Sequence, residues 1–446
     1  MRRGARWARR MGLGAAGALA AGIPAVAGTV APGAVDAGLA WRDVLPQRAP
    51  VLPAPGDVEE AILLLADPPA ADAAPGERAA AAAAISRRHD ELAPVLAQLG
   101  AEVTGRYRIL VNALAVRVPN GRLPAVAALA DVEAVVPVTY LAPAAVGAAD
   151  AGPAPGVARA VVPPPPASPA HVALIDTGID TSHPWLGGGI GPTSPVIGGV
   201  DLVDADGDPT GTTEAEAHGT AMAGLVLRSP ALAGLPPERV PRLLAYRVVE
   251  DVAVDGGTLP LARSDRVLAA MERAVDPDGD GDPDDRADVV LLGVSRGFGG
   301  GGTDPVERAA RAADRLGAIV VAPAGNEGAT GAATGSIGGP AAAPTVLTVG
   351  ALGADTSPRT ARLEVKVGPA GASLEPLPLV GPAPPPAAAP VVVVSGVDGI
   401  ASGATREEYL GPDGASRVQG AIAVVGRGGA TLAQKARAAA AAGAVA

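Results

Sequence analysis

Five apolar runs divide the middle of the chain at intervals that leave room for a helix between most of them: VALI (172–175), RLLAYRVV (242–249), DVVLLGV (288–294), AIVVAP (318–323) and TVLTVG (345–350). Runs that stay apolar at successive positions, instead of alternating, belong to strands buried on both faces, and that is the environment of a parallel sheet between helical layers. From His171 onward the chain is therefore restricted to an α/β fold. One connector is specified in detail. Asp304 is placed to cap a helix, Pro305 suits its first position, Glu307 completes a capping box and Gly317 ends it after Leu316, which makes 288–323 a β-α-β unit. With 446 residues the chain exceeds one ordinary core, so further units are expected on either side. Aromatic residues make up only 2%, so those cores must be packed from Val, Leu, Ile and Ala. The absence of cysteine excludes disulfides, thiol nucleophiles and thiolate metal sites together.

The first 27 residues read as a signal peptide. Five arginines in MRRGARWARR precede an uncharged stretch that ends in Ala25-Val26-Ala27, an A-x-A cleavage pattern. This predicts a secreted protein, exported by the general route or, given Arg9-Arg10, by a twin-arginine route. Removing those five charges takes the net charge from −11 to −11 − 5 = −16, which argues against a nucleic-acid partner. No stable membrane span is expected. Residues 58–142 follow a β-α-β-β-α-β order, that of a ferredoxin-like α+β unit, with Pro94 expected to kink or shorten the first helix. Residues 143–169, with four successive prolines at 163–166, read as an exposed linker. Residues 360–446 form a further unit of strands and one Ala-rich helix.

Polar residues stand at the ends of the apolar runs. Asp176 follows VALI directly, in HVALIDTGID, at the strand end where open α/β sheets build their sites. His218 lies in AHGTAMAG at a helix start, and an Asp-His pair is what orients a general base. His89, His171 and His183 have no such context. Asn326, between Gly325 and Gly328 in APAGNEGATG, follows another strand, where its amide can donate into a cleft.

Taken together and in this order, DTGI, HGTAMAG and AGNEG resemble the aspartate, histidine and oxyanion-hole motifs of the subtilisin-like serine proteases. The resemblance implies a three-layer subtilisin-like domain over 170–356, with Asp176 and His218 as triad members and Asn326 as oxyanion donor. It also implies polypeptide substrates and no cofactor for catalysis. Residues 58–142 are similar to the family's inhibitor-type propeptide, which blocks the cleft as an intramolecular partner, and 360–446 to its protease-associated insertion. The strand that pairs with substrate, usually Ser-Leu-Gly, is either Gly293-Val294-Ser295 or Ser295-Arg296-Gly297. The family's Gly-Thr-Ser-Met-Ala nucleophile motif is absent, and Ser336, Ser357, Ser373, Ser395, Ser402 and Ser416 all lack its context. The peptidase and protease-associated units are thus both expected to be incomplete, in a secreted endopeptidase precursor whose Ser-bearing segment lies elsewhere. A catalytically dead pseudoprotease and a calcium-dependent surface binding protein remain the alternatives.

An acidic loop, DPDGDGDPDDRAD (276–288), has Asp276, Asp278, Asp280 and Gly281 at the spacing of the first half of an EF-hand loop, with Ala287 where the bidentate Glu belongs. Asp276, Asp278, Asp280, Asp282 and Asp285 are candidate ligands for a structural calcium ion. DLVDADGDP (201–209) is a second, weaker acidic stretch.

Overall fold

The computed structural model describes residues 58–143, 169–211, 216–228, 232, 235–236, 239–254, 257–297, 304–326, 337–350, 360–367, 370–378, 389–396, 399–401, 403, 405–426 and 432–445. The expected signal peptide, all but the ends of the linker, and Ser336, Ser357 and Ser402 lie outside them.

The N-terminal unit is an antiparallel sheet of β1 (Val58–Leu65), β2 (Glu102–Tyr107), β3 (Ala113–Pro119) and β4 (Val132–Pro137), in the order β2-β3-β1-β4. From Ala61 to Leu65 strand β1 is continuously apolar because both its faces are covered there. Ala61, Leu63 and Leu65 pack within the unit, while Ile62 and Leu64 join a core shared with the rest of the molecule. Helix α1 (Arg78–Gln98) is not shortened: it runs through Pro94. Its buried positions Ala82, Ile85, His89, Leu92 and Leu96 recur at three- and four-residue spacing, so the turn holding Pro94 is anchored on both sides by Leu92 and Leu96. Helix α2 spans Leu123–Ala127.

The central sheet has six parallel strands in the order β14-β13-β11-β6-β8-β7: β6 (His171–Asp176), β7 (Val196–Asp201), β8 (Arg242–Arg247), β11 (Val289–Leu292), β13 (Ile319–Pro323) and β14 (Leu347–Val349). The five apolar runs are all there. Strand β7 was not expected, since VIGGVD carries two glycines in its centre. On one face Ala173, Ile175, Val290, Leu292, Val320 and Ala322 pack with α4 (Ser264–Val275) and α5 (Pro305–Arg315). Asp304 caps α5 as expected, accepting the Val306 and Glu307 amides at 2.8 and 3.0 Å. On the other face α3 (Glu216–Arg228) covers Val172, Leu174, Leu243 and Ala245 through Ala223 and Leu227. Register places Leu174, Leu291, Val321 and Leu347 in one row on that face, and the row ends in the open: Leu347 is 59% exposed and Val349 53%.

A second sheet joins the two units. Strands β9 (Val249–Val254), β10 (Gly257–Arg263) and β12 (Val294–Ser295) come from the central domain. Strand β5 (Tyr140–Pro143), the end of the N-terminal unit, lies between β12 and β10, antiparallel to both. Pro143, expected to open the linker, is the last residue of that strand. Beyond residue 360 are a hairpin, β15 (Thr360–Val367) with β16 (Ala370–Pro378), and a small unit. The latter contains β17 (Val391–Val393) parallel to β20 (Ile422–Val424), a two-residue pair β18 (Ser395–Gly396) and β19 (Gly399–Ile400), and helix α6 (Leu432–Ala441) over a core of Val394, Tyr409 and Val418.

Candidate active site

Asp176 is the last residue of β6 and is 1% exposed; His218 lies in the first turn of α3. Their side chains meet, with His218 Nδ1 2.7 Å from Asp176 Oδ1. A carboxylate can only accept, so Nδ1 is the donor and Nε2 is the ring atom available to take up a proton. The same Oδ1 accepts the Thr177 N–H at 2.6 Å, while Oδ2 is buried with no hydrogen bond among the described residues. Opposite Oδ2 stands Gly293, whose backbone is pinned by its N–H to the Ile175 carbonyl at 2.9 Å. A Cβ at that position would lie 1.8 Å from Oδ2 and 3.3 Å from His218 Cε1. From the sequence, Thr177 stood only within the DTGI motif and Gly293 only within a candidate substrate edge; neither was given a role beside Asp176.

Asn326 follows β13, and its Nδ2 donates to the Pro143 carbonyl at 3.2 Å. The amide expected to face a substrate carbonyl thus faces a carbonyl of the molecule's own chain. Ala142 and Pro143 pair with Ser295 and Val294, and Tyr140 and Leu141 with Arg263 and Ala262. Of the two sequences considered for the substrate edge, Val294 and Ser295 pair with β5, while Arg296 bridges to Gly339. Leu141 is 3% exposed between its two partner strands.

The N-terminal unit is held over α4 by a carboxylate. Glu272 accepts four successive amides, those of Arg108, Ile109, Leu110 and Val111, at 3.2, 2.9, 2.6 and 3.3 Å. Burial pushes its carboxyl up and the four amide donors oppose that shift. Around it, Tyr107 Oη donates to the Asp265 carbonyl, Arg263 pairs with Glu60, Arg308 with Glu133 and Arg315 with Asp72.

In the acidic loop, Asp276, Asp278 and Asp285 each bring a carboxylate oxygen within 4.8 Å of the others, and Asp280 and Asp282 lie outside that group. Burial, then the neighbouring Asp278 and Asp276 charges, push the Asp285 carboxyl up. Asp276 also accepts the Gly281 amide and pairs with Arg108 of the N-terminal unit at 3.3 Å. In the second acidic stretch Asp201 and Asp204 both pair with Arg247. His89 is buried against Asn112, and His183 stacks edge-on to Trp185. His171 begins β6 at the opposite end from Asp176.

The ends of the parallel strands thus carry an Asp-His pair and, after another strand, a side-chain amide. The model of the subtilase family matches residues 168–425, more than half of the chain, and the protein belongs to that family. Among curated relatives, the minor extracellular protease Vpr of Bacillus subtilis (strain 168) is 34% identical over 176 residues, covering 37% of this chain and 19% of Vpr. Thermitase of Thermoactinomyces vulgaris is 31% identical over 167 residues, 36% of this chain and 50% of thermitase. The chain thus spans at most half the length of either. The crystal structure of the epidermin leader peptide processing serine protease EpiP from Staphylococcus aureus aligns over 66% of this chain and 69% of that one, at 14% identity and a TM-score of 0.40.

Proposed function

We propose that the protein is the precursor of a secreted serine endopeptidase in which Asp176 and His218 are two members of an Asp-His-Ser triad and residues 58–143 act as an inhibitory propeptide. The observation that carries this reading is the 2.7 Å contact between Asp176 and His218, and β5 lying between β12 and β10 supports the inhibitory role. His218 Nε2 takes the proton of a serine hydroxyl as the oxygen attacks the peptide carbonyl, and returns it to the leaving amine. Asp176 holds the tautomer and offsets the imidazolium charge. Asn326 donates to the oxyanion of the tetrahedral intermediate. A substrate strand takes the place of β5, pairing with β12 and β10, so the two cannot be bound together; that is the physical basis of the inhibition.

The hydroxyl belongs to a segment other than the described residues. The uncovered end of the sheet face supports this: a helix laid over Leu347 and Val349 completes the α3 layer. Its N-terminus, at the C-terminal ends of the strands, brings a serine toward His218 and partial positive charge to the oxyanion. The 446-residue chain by itself should hydrolyse peptides negligibly. Robust, serine-reagent-sensitive proteolysis by the purified chain is the result that overturns this reading.

The cluster of Asp276, Asp278 and Asp285 is proposed to hold a structural calcium ion, because three carboxylates this close repel unless a cation offsets them. A ligand that binds only the folded state stabilises it by about 2.7 kcal/mol at 100 times its dissociation constant. Equal melting temperatures in calcium and in chelator refute the site.

A further inference from the structure

We infer that Thr177 is a positioning residue for the Asp176–His218 pair, its buried hydroxyl holding the first turn of α3 against the end of β6. The inference rests on reading that pair as the proton-transfer pair. Thr177 is 0% exposed, and its Oγ1 accepts the Gly219 N–H at 2.9 Å. Three hydrogen bonds join the end of β6 and the residues after it to the first turn of α3: His218 Nδ1–H to Asp176, the Gly219 N–H to Thr177 and, one step further out, the Asp180 N–H to Thr220 Oγ1 at 2.8 Å. A hydrogen bond between a carboxylate and an imidazole does not by itself fix the angle between the elements that carry them. A second bond between the adjacent residues restricts that angle.

The glycines around these bonds permit the close approach. A Cβ on Gly219 would lie 2.0 Å from the Gly178 carbonyl oxygen. Gly178, at φ +89°, has the Gly211 backbone 2.8 Å from where its own Cβ would stand. The hydroxyl thus reaches the amide with no side chain between them, and of the Thr177 side chain only Oγ1 can accept it. Thr177 also acts through its backbone, since its N–H donates to Asp176 Oδ1. Among the described residues the carboxylate's hydrogen bonds are made through Oδ1, with Oδ2 packed against Gly293. A small tilt of α3 then carries His218 away from the one oxygen that fixes its tautomer.

The test is made on the full chain with nitrogen-labelled histidine, following the low-field proton of an imidazole N–H held by a carboxylate. The signal is assigned by its loss in His218→Gln. Thr177→Val, which keeps the shape and removes the acceptor, should abolish the signal or speed its exchange with water at least tenfold, and should move the ring nitrogens toward the other tautomer. Thr177→Ser should restore the wild-type spectrum. An unchanged signal in a folded Thr177→Val chain overturns the inference. Wild-type exchange gives an arm that needs no variant. Corrected for intrinsic rates, the Gly219 amide and the His218 Nδ1–H should exchange within tenfold of each other. A freely exchanging Nδ1–H beside a protected Gly219 amide refutes the coupling. Asp176→Ala separates the two levels: a signal that survives it sinks the pairing itself, whereas loss there with retention in Thr177→Val sinks only the role of Thr177.

Discussion

At the scale of single residues, the site depends as much on what is missing at Gly293 as on what is present at Asp176. The Asp176 carboxylate occupies space that any side chain at 293 would take, with Cγ itself only 2.6 Å from the Cβ position. The Gly293 backbone cannot retreat, because its amide is bonded to Ile175 and the next two residues form β12. Gly293→Ala should therefore turn the carboxylate away from His218. In an enzyme completed with its nucleophile, kcat should fall by about 10⁴-fold, the scale of losing the acid's orienting role in a triad. Overpacking adds a stability cost of about 1–3 kcal/mol. Steady-state kinetics and denaturant unfolding of the variant check both, and a kcat within tenfold of wild type would show that the carboxylate does not need this space.

Among the elements, α1 offers the clearest test of what holds the N-terminal unit together. Pro94 lacks the amide that would bond one turn back, yet the helix continues to Gln98 because Leu92 and Leu96 are both buried. In a helix interior Pro is about 3 kcal/mol less favourable than Ala, and the greater freedom of an unfolded chain with Ala returns about 0.4–1 kcal/mol. Pro94→Ala should stabilise the unit by about 2 kcal/mol, slowing hydrogen exchange across α1 about thirtyfold where that exchange requires the unit to open. Exchange no slower than wild type would mean that the packing already compensates in full. The same balance explains what the sequence could and could not reveal. Apolar runs such as VALI and AIVVAP announce buried strands, and Asp304, Pro305 and Gly317 mark one helix to within a residue. A proline signals a break locally, but not the two leucines that override it. Strand β5 is four residues whose partners lie more than a hundred positions away, so nothing near Tyr140 marks it as a strand. Asp176 and His218 were legible because a motif names them; Glu272, which collects four amides from another unit, has no motif, and its role exists only once the units are docked.

Across the whole molecule, the proposed function has the N-terminal unit hold the cleft and later release it, and the unit's one histidine, His89, ties its stability to pH. His89 is 1% exposed on α1, with Nε2 2.9 Å from Asn112 Oδ1. Asn112 follows directly on the four residues whose amides bind Glu272, and its Nδ2 donates to the Asp67 carbonyl. Burial holds the His89 imidazole below its ordinary value; the Asn112 hydrogen bond raises it, Arg106 and Arg108 lower it further, and Asp90 acts against them. The sign follows from linkage. Because the folded state binds the proton less readily than the unfolded chain, the contribution of His89 is fully present above about pH 6.5. It is lost progressively as pH falls from there through the depressed folded value. Acidification in this window should weaken the unit and, with it, the loop that grips Glu272, loosening β5 from β10 and β12. Exchange of the β5 amides in the full chain, measured from pH 7.5 down to pH 5, should accelerate beyond the intrinsic pH effect. In His89→Gln, where no proton can be taken up, the excess should vanish. If wild type and His89→Gln trace the same curve, the buried imidazole does not govern the pairing of β5 with β10 and β12.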